Sequence, residues 1–115
     1  MRHHSKIKKF GRERNQRHAL IRSLAVSLVR DGKIKTTEQK AKALKPFIEK
    51  LVTVGKKQTL AARRNIANEI GDKNARIIVK TISPKYDKRN GGYARITKLV
   101  RRASDGAKQA IIEFV

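Results

Sequence analysis

The sequence predicts an α+β domain in which four helices pack on a small three-stranded sheet. A length of 115 residues suits one domain with a modest core. Apolar residues recur with helical spacing between residues 15 and 82, interrupted by one short alternating stretch, and they alternate as in strands from residue 93 onward. The predicted order is therefore helix, strand, three helices and two C-terminal strands.

The first helix and the first strand follow from local signals. The helix begins at Asn15 and ends before Gly32, since glycine is the usual residue just past a helix. Residues 33–37 then alternate like a short strand. Thr36, with Gln39 three residues later, fits a capping box that starts the second helix.

The second helix carries an apolar face. Its members are Ala41, Leu44, Ile48 and Leu51. Pro46 lies inside this pattern, where it removes a backbone donor and clashes with the preceding turn, so we expect a kink or a break. Gly55 and the two lysines after it close the helix.

Two further helices each have a residue that can cap the first turn. Thr59 caps the third helix, which ends at Gly71, and Asp72 caps the fourth. The side chains that the fourth helix turns inward are Ala75, Ile78, Val79 and Ile82. We expect Ser83-Pro84 to stop this helix.

The C-terminal part is predicted to be a loop followed by two strands. Residues 83–92 are turn-rich and basic. Residues 93–100 alternate as in a half-buried strand, with Val100 on the inward side. Asp105-Gly106 is a turn signal. Residues 110–115 are apolar on both faces, so we expect the last strand to lie in the centre of the sheet.

The charge of the chain limits its partners. Thirty Lys and Arg against nine Asp and Glu leave a net charge of +21, which calls for a polyanion such as nucleic acid. No apolar run approaches the length of a spanning helix, and the absence of cysteine excludes disulfides and Cys-based zinc sites. Aromatic residues are too scarce for a single-strand stacking platform, so structured RNA or duplex backbone is favoured.

We expect the nucleic-acid contacts to come from three groups of residues. Residues 1–13 form a basic arm that orders on phosphates, the alternative being a solvated tail. The arm contributes Arg2, His3, His4, Lys6, Lys8, Lys9 and Arg12. The remainder, residues 14–115, form the single domain. Its first helix, first strand and next two helices contribute Arg14, Arg17, His18, Arg22, Lys35, Lys40, Lys42, Arg63 and Arg64.

The third group lies in the C-terminal loop and strand. It comprises Lys85, Lys88, Arg89, Gly91, Gly92, Tyr93, Arg95, Arg101 and Arg102. The glycines allow the backbone to approach a sugar–phosphate chain closely, although a flexible turn is the alternative. Tyr93 is the one aromatic residue placed to stack near this loop.

The sequence gives poor support for catalysis, metal binding or cofactor binding. His3 and His4 are two adjacent histidines without a third candidate ligand, whereas a zinc ion is usually coordinated by four ligands. Gly91-Gly92 lack the spacing of a phosphate-binding loop or of a dinucleotide fingerprint. No grouping of nucleophile, base and acid can be drawn. We therefore expect no enzyme, no metal, no cofactor and no small-molecule substrate.

Several short blocks together resemble the bacterial-type large-subunit ribosomal protein "L seventeen" family over nearly the whole chain. Residues 91–96, GGYARI, are the most specific block. The others are residues 1–3 (MRH), 17–20 (RHAL), 22–24 (RSL), 27–28 (SL), 35–37 (KTT), 40–42 (KAK) and 110–113 (AIIE). Two departures exist: the turn at residues 104–107 differs from the usual Gly-Asp, and Ala94 stands where relatives often have Thr.

The resemblance implies a structural role on the large ribosomal subunit, close to the exit of the peptide tunnel. It implies contacts with large-subunit ribosomal RNA and with neighbouring ribosomal proteins, without a cofactor or a membrane. Because the match begins at Met1, with no cleavable extension in view, the bacterial cytoplasm is the expected location. The alternatives from charge alone are a nucleoid-type DNA-binding architectural protein and a cationic membrane-surface protein.

Overall fold

The computed structural model describes residues 13–115, and the predicted order of elements is confirmed there. Residues 1–12, which include most of the predicted arm, lie outside the described part of the chain. The helices are α1 (Arg14–Asp31), α2 (Glu38–Gly55), α3 (Leu60–Ile70) and α4 (Asp72–Ile77). The strands are β1 (Lys33–Thr37), β2 (Ala94–Lys98) and β3 (Gln109–Phe114).

The three strands form one antiparallel sheet in the order β1-β3-β2. The prediction that the last strand is central is therefore confirmed. Because β3 pairs on both sides, each of its residues faces one residue from each neighbour. Ile112, for example, lies between Ile34 and Ile96. This row is the inward one, since Ile112 is fully buried.

The core forms where α2 crosses the inward face of the sheet. Helix α2 contacts all three strands as well as α1 and α3. The predicted apolar face of α2 is buried as expected, and so are the inward residues predicted for the fourth helix. The fully buried members of the core from α1, α2 and the sheet include Ala25, Leu28, Ala41, Leu44, Ile48, Val52, Ala110 and Ile112.

Two of the three predicted helix caps need correction. The cap of α2 is Thr37 and not Thr36, because β1 extends one residue further, and the Thr37 hydroxyl accepts a hydrogen bond from the Lys40 N–H at 3.3 Å. Asp72 is the first residue of α4 rather than its cap, a position taken by Gly71 with φ of 88°. Thr59 caps α3 as predicted.

Pro46 does not break α2, which runs from Glu38 to Gly55. A proline inside a helix removes one backbone hydrogen bond and crowds the preceding turn. Leu44 and Ile48, on either side of it, are fully buried against the rest of the core. Tertiary burial of the two helix halves thus outweighs the local penalty.

Helical structure also continues past Ser83-Pro84, where we expected it to stop. A π-helical segment, Ile78–Ile82, follows α4, and a 3₁₀ turn, Ser83–Tyr86, comes next. Pro84 lies in the first turn of the 3₁₀ segment, where its missing N–H costs little. The buried Ser83 hydroxyl donates to the Val52 carbonyl at 3.0 Å, which fixes this turn against α2.

Val100 is the remaining correction to the fold. The alternating pattern predicted an inward position, yet β2 ends at Lys98 and the Val100 side chain is 87% exposed. The Leu99 N–H still donates to the Gln109 carbonyl at 2.9 Å, so the chain leaves the sheet immediately after Leu99. The residues that follow form the hairpin loop between β2 and β3.

Substitution of Gly55 by alanine is expected to destabilise the domain. An added Cβ would lie 2.5 Å from the Ser83 hydroxyl oxygen and 3.0 Å from Ile78 Cγ2, in a packed core. Overpacking of this kind costs about 1–3 kcal/mol of unfolding free energy, more than the helix propensity that alanine contributes. Chemical denaturation measures the loss, and the double variant with Ser83→Ala should recover part of it. An unchanged midpoint would contradict this packing.

Candidate nucleic-acid interface

The outward face of the sheet is lined by cations. Paired residues on neighbouring strands point to the same face. Glu113 on β3 lies between Lys33 and Arg95, and the next outward row has Lys35 and Thr97 on the two outer strands. Lys33, Lys35 and Arg95 are exposed. We call Lys33, Lys35, Arg95 and Thr97 the sheet surface.

Arg95 is oriented by the acidic residue in the middle of its row. Its Nε donates to a Glu113 carboxylate oxygen at 2.9 Å. No described partner takes the other guanidinium nitrogens. These remain free for two parallel hydrogen bonds to a phosphate, a geometry that lysine cannot reproduce.

The residues before β2 form a basic loop with an unusual backbone. Gly91 and Gly92 have φ of 100° and 66°, values that L side chains rarely adopt. A Cβ at either position would meet no heavy atom within 4 Å, so these glycines serve the backbone conformation rather than tight packing. Lys88 and Arg89 are exposed beside them. We call residues 87–92 the glycine loop.

Tyr93 lies in the core, which corrects the expectation that its ring stacks on RNA. Its side chain is 2% exposed, and its ring packs against Tyr86 with centroids 5.1 Å apart. The Tyr93 hydroxyl donates to the Arg89 carbonyl at 3.1 Å. Hydrogen bonding by Thr53 and by the Lys56 ammonium lowers the pKa of the Tyr93 phenol. Tyr93 therefore holds the glycine loop against the core through its hydrogen bond to the Arg89 carbonyl.

At the other end of β2, the hairpin loop holds one of its two arginines in an ion pair. Arg102 donates to both carboxylate oxygens of Asp105, at 2.9 and 2.6 Å, and Asp105 also accepts from the Ala107 N–H at 3.0 Å. Arg101 is exposed and has no described partner. Of this pair, Arg101 is thus the residue that the hairpin leaves available.

Several predicted contacts in the helical part of the domain are engaged with carboxylates. Lys42 pairs with Glu38 at 3.0 Å, and this bond is the main reason that the Glu38 pKa is lowered. The other two pairs are Arg22–Glu69 at 3.3 Å and Arg63–Asp72 at 3.6 Å. The cations of these pairs stay at least partly exposed, so the pairs weaken but do not remove the attraction to a polyanion.

The remaining predicted cations have no ion pair among residues 13–115. They are Arg14, Arg17, His18, Lys35, Lys40, Arg64, Lys85, Lys88 and Arg89. Arg63 and Arg64 lie on α3, which packs against α1, α2 and α4 in the helical layer. Arg95 lies on the opposite side of the sheet, and Arg101 lies in the hairpin loop that follows β2. The predicted contacts are therefore distributed over both layers.

The sequence interpretation missed two residues of this region. Lys33 shares the outward row with Arg95, and the alternation of Lys33, Ile34 and Lys35 was the signal that could have identified it. Lys56 contacts the glycine loop from α2. No local signal could have found Lys56, since its partner Arg89 is 33 positions away.

Two findings concern metal binding and membrane insertion. Within the described residues, no three His, Cys, Asp or Glu side chains are grouped so that they could hold a metal ion. In the same part of the chain, no helix has both the length and the hydropathy to cross a bilayer.

A basic α+β domain with a cation-lined sheet and an arginine-bearing loop has the surface of a protein that binds polyanions. The profile of the family described as "Ribosomal protein L17" matches residues 20–115. The chain therefore belongs to the ribosomal protein L17 family. Its class is that of ribosomal proteins, which have a structural and not an enzymatic role.

Full-length relatives agree with the family match. The "Large ribosomal subunit protein bL17" of Persephonella marina is 54% identical over 118 residues, covering 100% of this chain and 95% of the relative. The protein of the same name from Methylacidiphilum infernorum is 50% identical, covering 99% and 88%. That from a Sulfurihydrogenibium species is 49% identical, covering 100% and 97%.

The hairpin ion pair predicts a measurable titration. Hydrogen bonds from Arg102 and from the Ala107 N–H lower the pKa of Asp105 to about 2, from an ordinary 3.8. Because the folded pKa is depressed, the pair contributes stability above pH 3.8 that is lost as the pH falls toward 2. An NMR titration of the carboxyl carbon should give this midpoint, and Arg102→Gln should raise it. A wild-type midpoint near 3.8 would show that the pair does not form.

Proposed function

We propose that this protein is a structural constituent of the large ribosomal subunit that binds and stabilises large-subunit ribosomal RNA. The observation that carries the proposal is the match of the whole chain to relatives named for that subunit. The exposed cations of the sheet surface and the glycine loop support it. They offer a folded RNA a rigid array of positive charge.

The proposed mechanism is electrostatic clamping. Each phosphate that a Lys or Arg neutralises releases condensed counterions, which contributes a favourable, salt-dependent free energy. With a net charge of +21, the chain has far more cations than its own carboxylates can neutralise. Bound phosphates relieve that repulsion, so the folded RNA and the folded protein stabilise each other.

Two parts of the chain divide the binding in this proposal. Residues 14–115 form one α+β domain that presents preorganised cations, with a single buried cluster linking α1, α2, α3, α4 and the sheet. Residues 1–13 act as a basic arm that reaches further along the RNA. Seven of the predicted contacts belong to that arm: Arg2, His3, His4, Lys6, Lys8, Lys9 and Arg12.

The relatives support a cellular location for the protein. The matched relatives come from bacteria, which supports the cytoplasmic ribosome of a bacterium as the location. Family resemblance further supports neighbouring ribosomal proteins near the exit of the peptide tunnel as partners. Co-sedimentation with large subunits after a high-salt wash tests this assignment.

Binding to large-subunit RNA fragments should depend steeply on salt. We expect the logarithm of affinity to fall linearly with the logarithm of salt, by about 0.7–0.9 per phosphate, with on the order of five contacts or more. Arg89→Lys and Arg95→Lys should each weaken binding despite conserving charge, because the paired hydrogen bonds are lost. Lys73→Arg, an exposed change on α4, is the control. A flat salt dependence, or stronger binding to duplex DNA at equal salt, would overturn the proposal.

Removal of residues 1–12 should separate RNA binding from folding. We expect weaker RNA binding and a smaller salt slope, because arm cations that neutralise phosphates are lost. The thermal midpoint should stay nearly constant, since the described buried cluster begins at Ala25. A large fall in the midpoint would show that the arm packs into the core instead.

A further inference from the structure

Three side chains hold the glycine loop against α2. Lys56, at the C-terminal end of α2, donates to the Arg89 carbonyl and to the Tyr93 hydroxyl, the latter at 3.1 Å. The Tyr93 hydroxyl donates to the same Arg89 carbonyl at 3.1 Å. Glu49, two turns earlier on α2, accepts the backbone N–H of Tyr93 at 2.8 Å. We call Lys56, Tyr93 and Glu49 the loop clamp.

Lys56 is half-buried, and its ammonium is directed at the Arg89 carbonyl and at the Tyr93 side chain. Its ammonium lies 5.2 Å from the centroid of the Tyr93 ring, in addition to its two hydrogen bonds. A cation over an aromatic face is attracted by the ring. The next residue, Lys57, is exposed, and its side chain has no described partner. Two adjacent lysines thus have different environments.

The loop needs such support because of its composition. Glycine has the largest backbone freedom, so a loop with Gly91-Gly92 would lose much conformational entropy if it became ordered only on binding. The clamp fixes the chain on both sides of the two glycines: Arg89 through its carbonyl and Tyr93 through its N–H and hydroxyl. Preorganisation of this kind raises affinity without adding a contact to the ligand.

We propose that Lys56 is a positioning residue for RNA binding, which touches no phosphate itself and holds the glycine loop so that Arg89 meets one. This inference rests on the proposed RNA-binding function. It divides the basic residues of the region into two roles. Arg89 neutralises a phosphate, whereas the positive charge of Lys56 interacts with the Arg89 carbonyl and with the Tyr93 ring.

A double-mutant cycle with salt titration tests this division. Lys56→Met should weaken binding to large-subunit RNA fragments about tenfold, comparable with one charge-assisted hydrogen bond, and leave the salt slope unchanged. Arg89→Met should lower the slope by about 0.7–0.9, the share of one phosphate. The double variant should bind within about twofold of Arg89→Met alone, because Lys56 acts through Arg89. Lys57→Met, the matched control, should stay within about twofold of wild type.

Tyr93→Phe provides a second variant that keeps the ring in the core. It removes only the hydroxyl, and it should weaken RNA binding by several-fold at an unchanged salt slope. If Lys56→Met does not fold, as judged by thermal melting, Tyr93→Phe with Arg89→Met completes the cycle. The inference is overturned by a slope that falls with Lys56→Met, by additive losses, or by an equal loss in Lys57→Met. Absence of RNA binding by the wild-type protein would instead overturn the proposed function.

Discussion

Burial of one face of α2 against the three-stranded sheet is the interaction on which the other elements depend. Leu44, Ile48 and Val52 on that face are fully buried. Burying a side chain of this size contributes roughly 1.5–3 kcal/mol, before conformational entropy is subtracted. The same helix contacts α1, α3 and every strand. Its remaining surface carries Glu49 and Lys56, so the element that organises the core also holds the glycine loop.

The acidic residues of this chain serve mainly to orient cations. Six of the nine acids form an ion pair with Lys or Arg in the described structure. Glu113 aligns Arg95, and Asp105 holds Arg102 within the hairpin. With thirty cations present, these pairs leave most of the positive charge uncompensated. A net charge of this size disfavours the compact state through self-repulsion.

The elements that the sequence predicted well are those marked by a periodic pattern of apolar residues or by a glycine at a helix end. The apolar period of α2, the alternation in β1 and the glycine after α1 each specify a structure within a few residues. Competing signals produced the errors. Thr36 and Thr37 can both cap a helix, and only the pairing of β1 with β3 through Thr37 decides between them. Pro46 is a local breaker that tertiary burial overrides, whereas Pro84 is tolerated because it lies in the first turn of a new helical segment.

By itself, the sequence determined the order of helices and strands, the central place of the last strand, the basic character of the surface and the family. Each of these depends on composition or on neighbours along the chain. The tertiary structure alone decided the roles of single side chains in the candidate interface. Tyr93 is buried because its ring meets Tyr86 and its hydroxyl meets Arg89. Lys56 contacts the glycine loop because folding brings the Arg89 carbonyl, 33 positions away along the sequence, next to its ammonium. Contacts between distant positions arise only when the core brings α2 and the glycine loop together, and no local pattern encodes them.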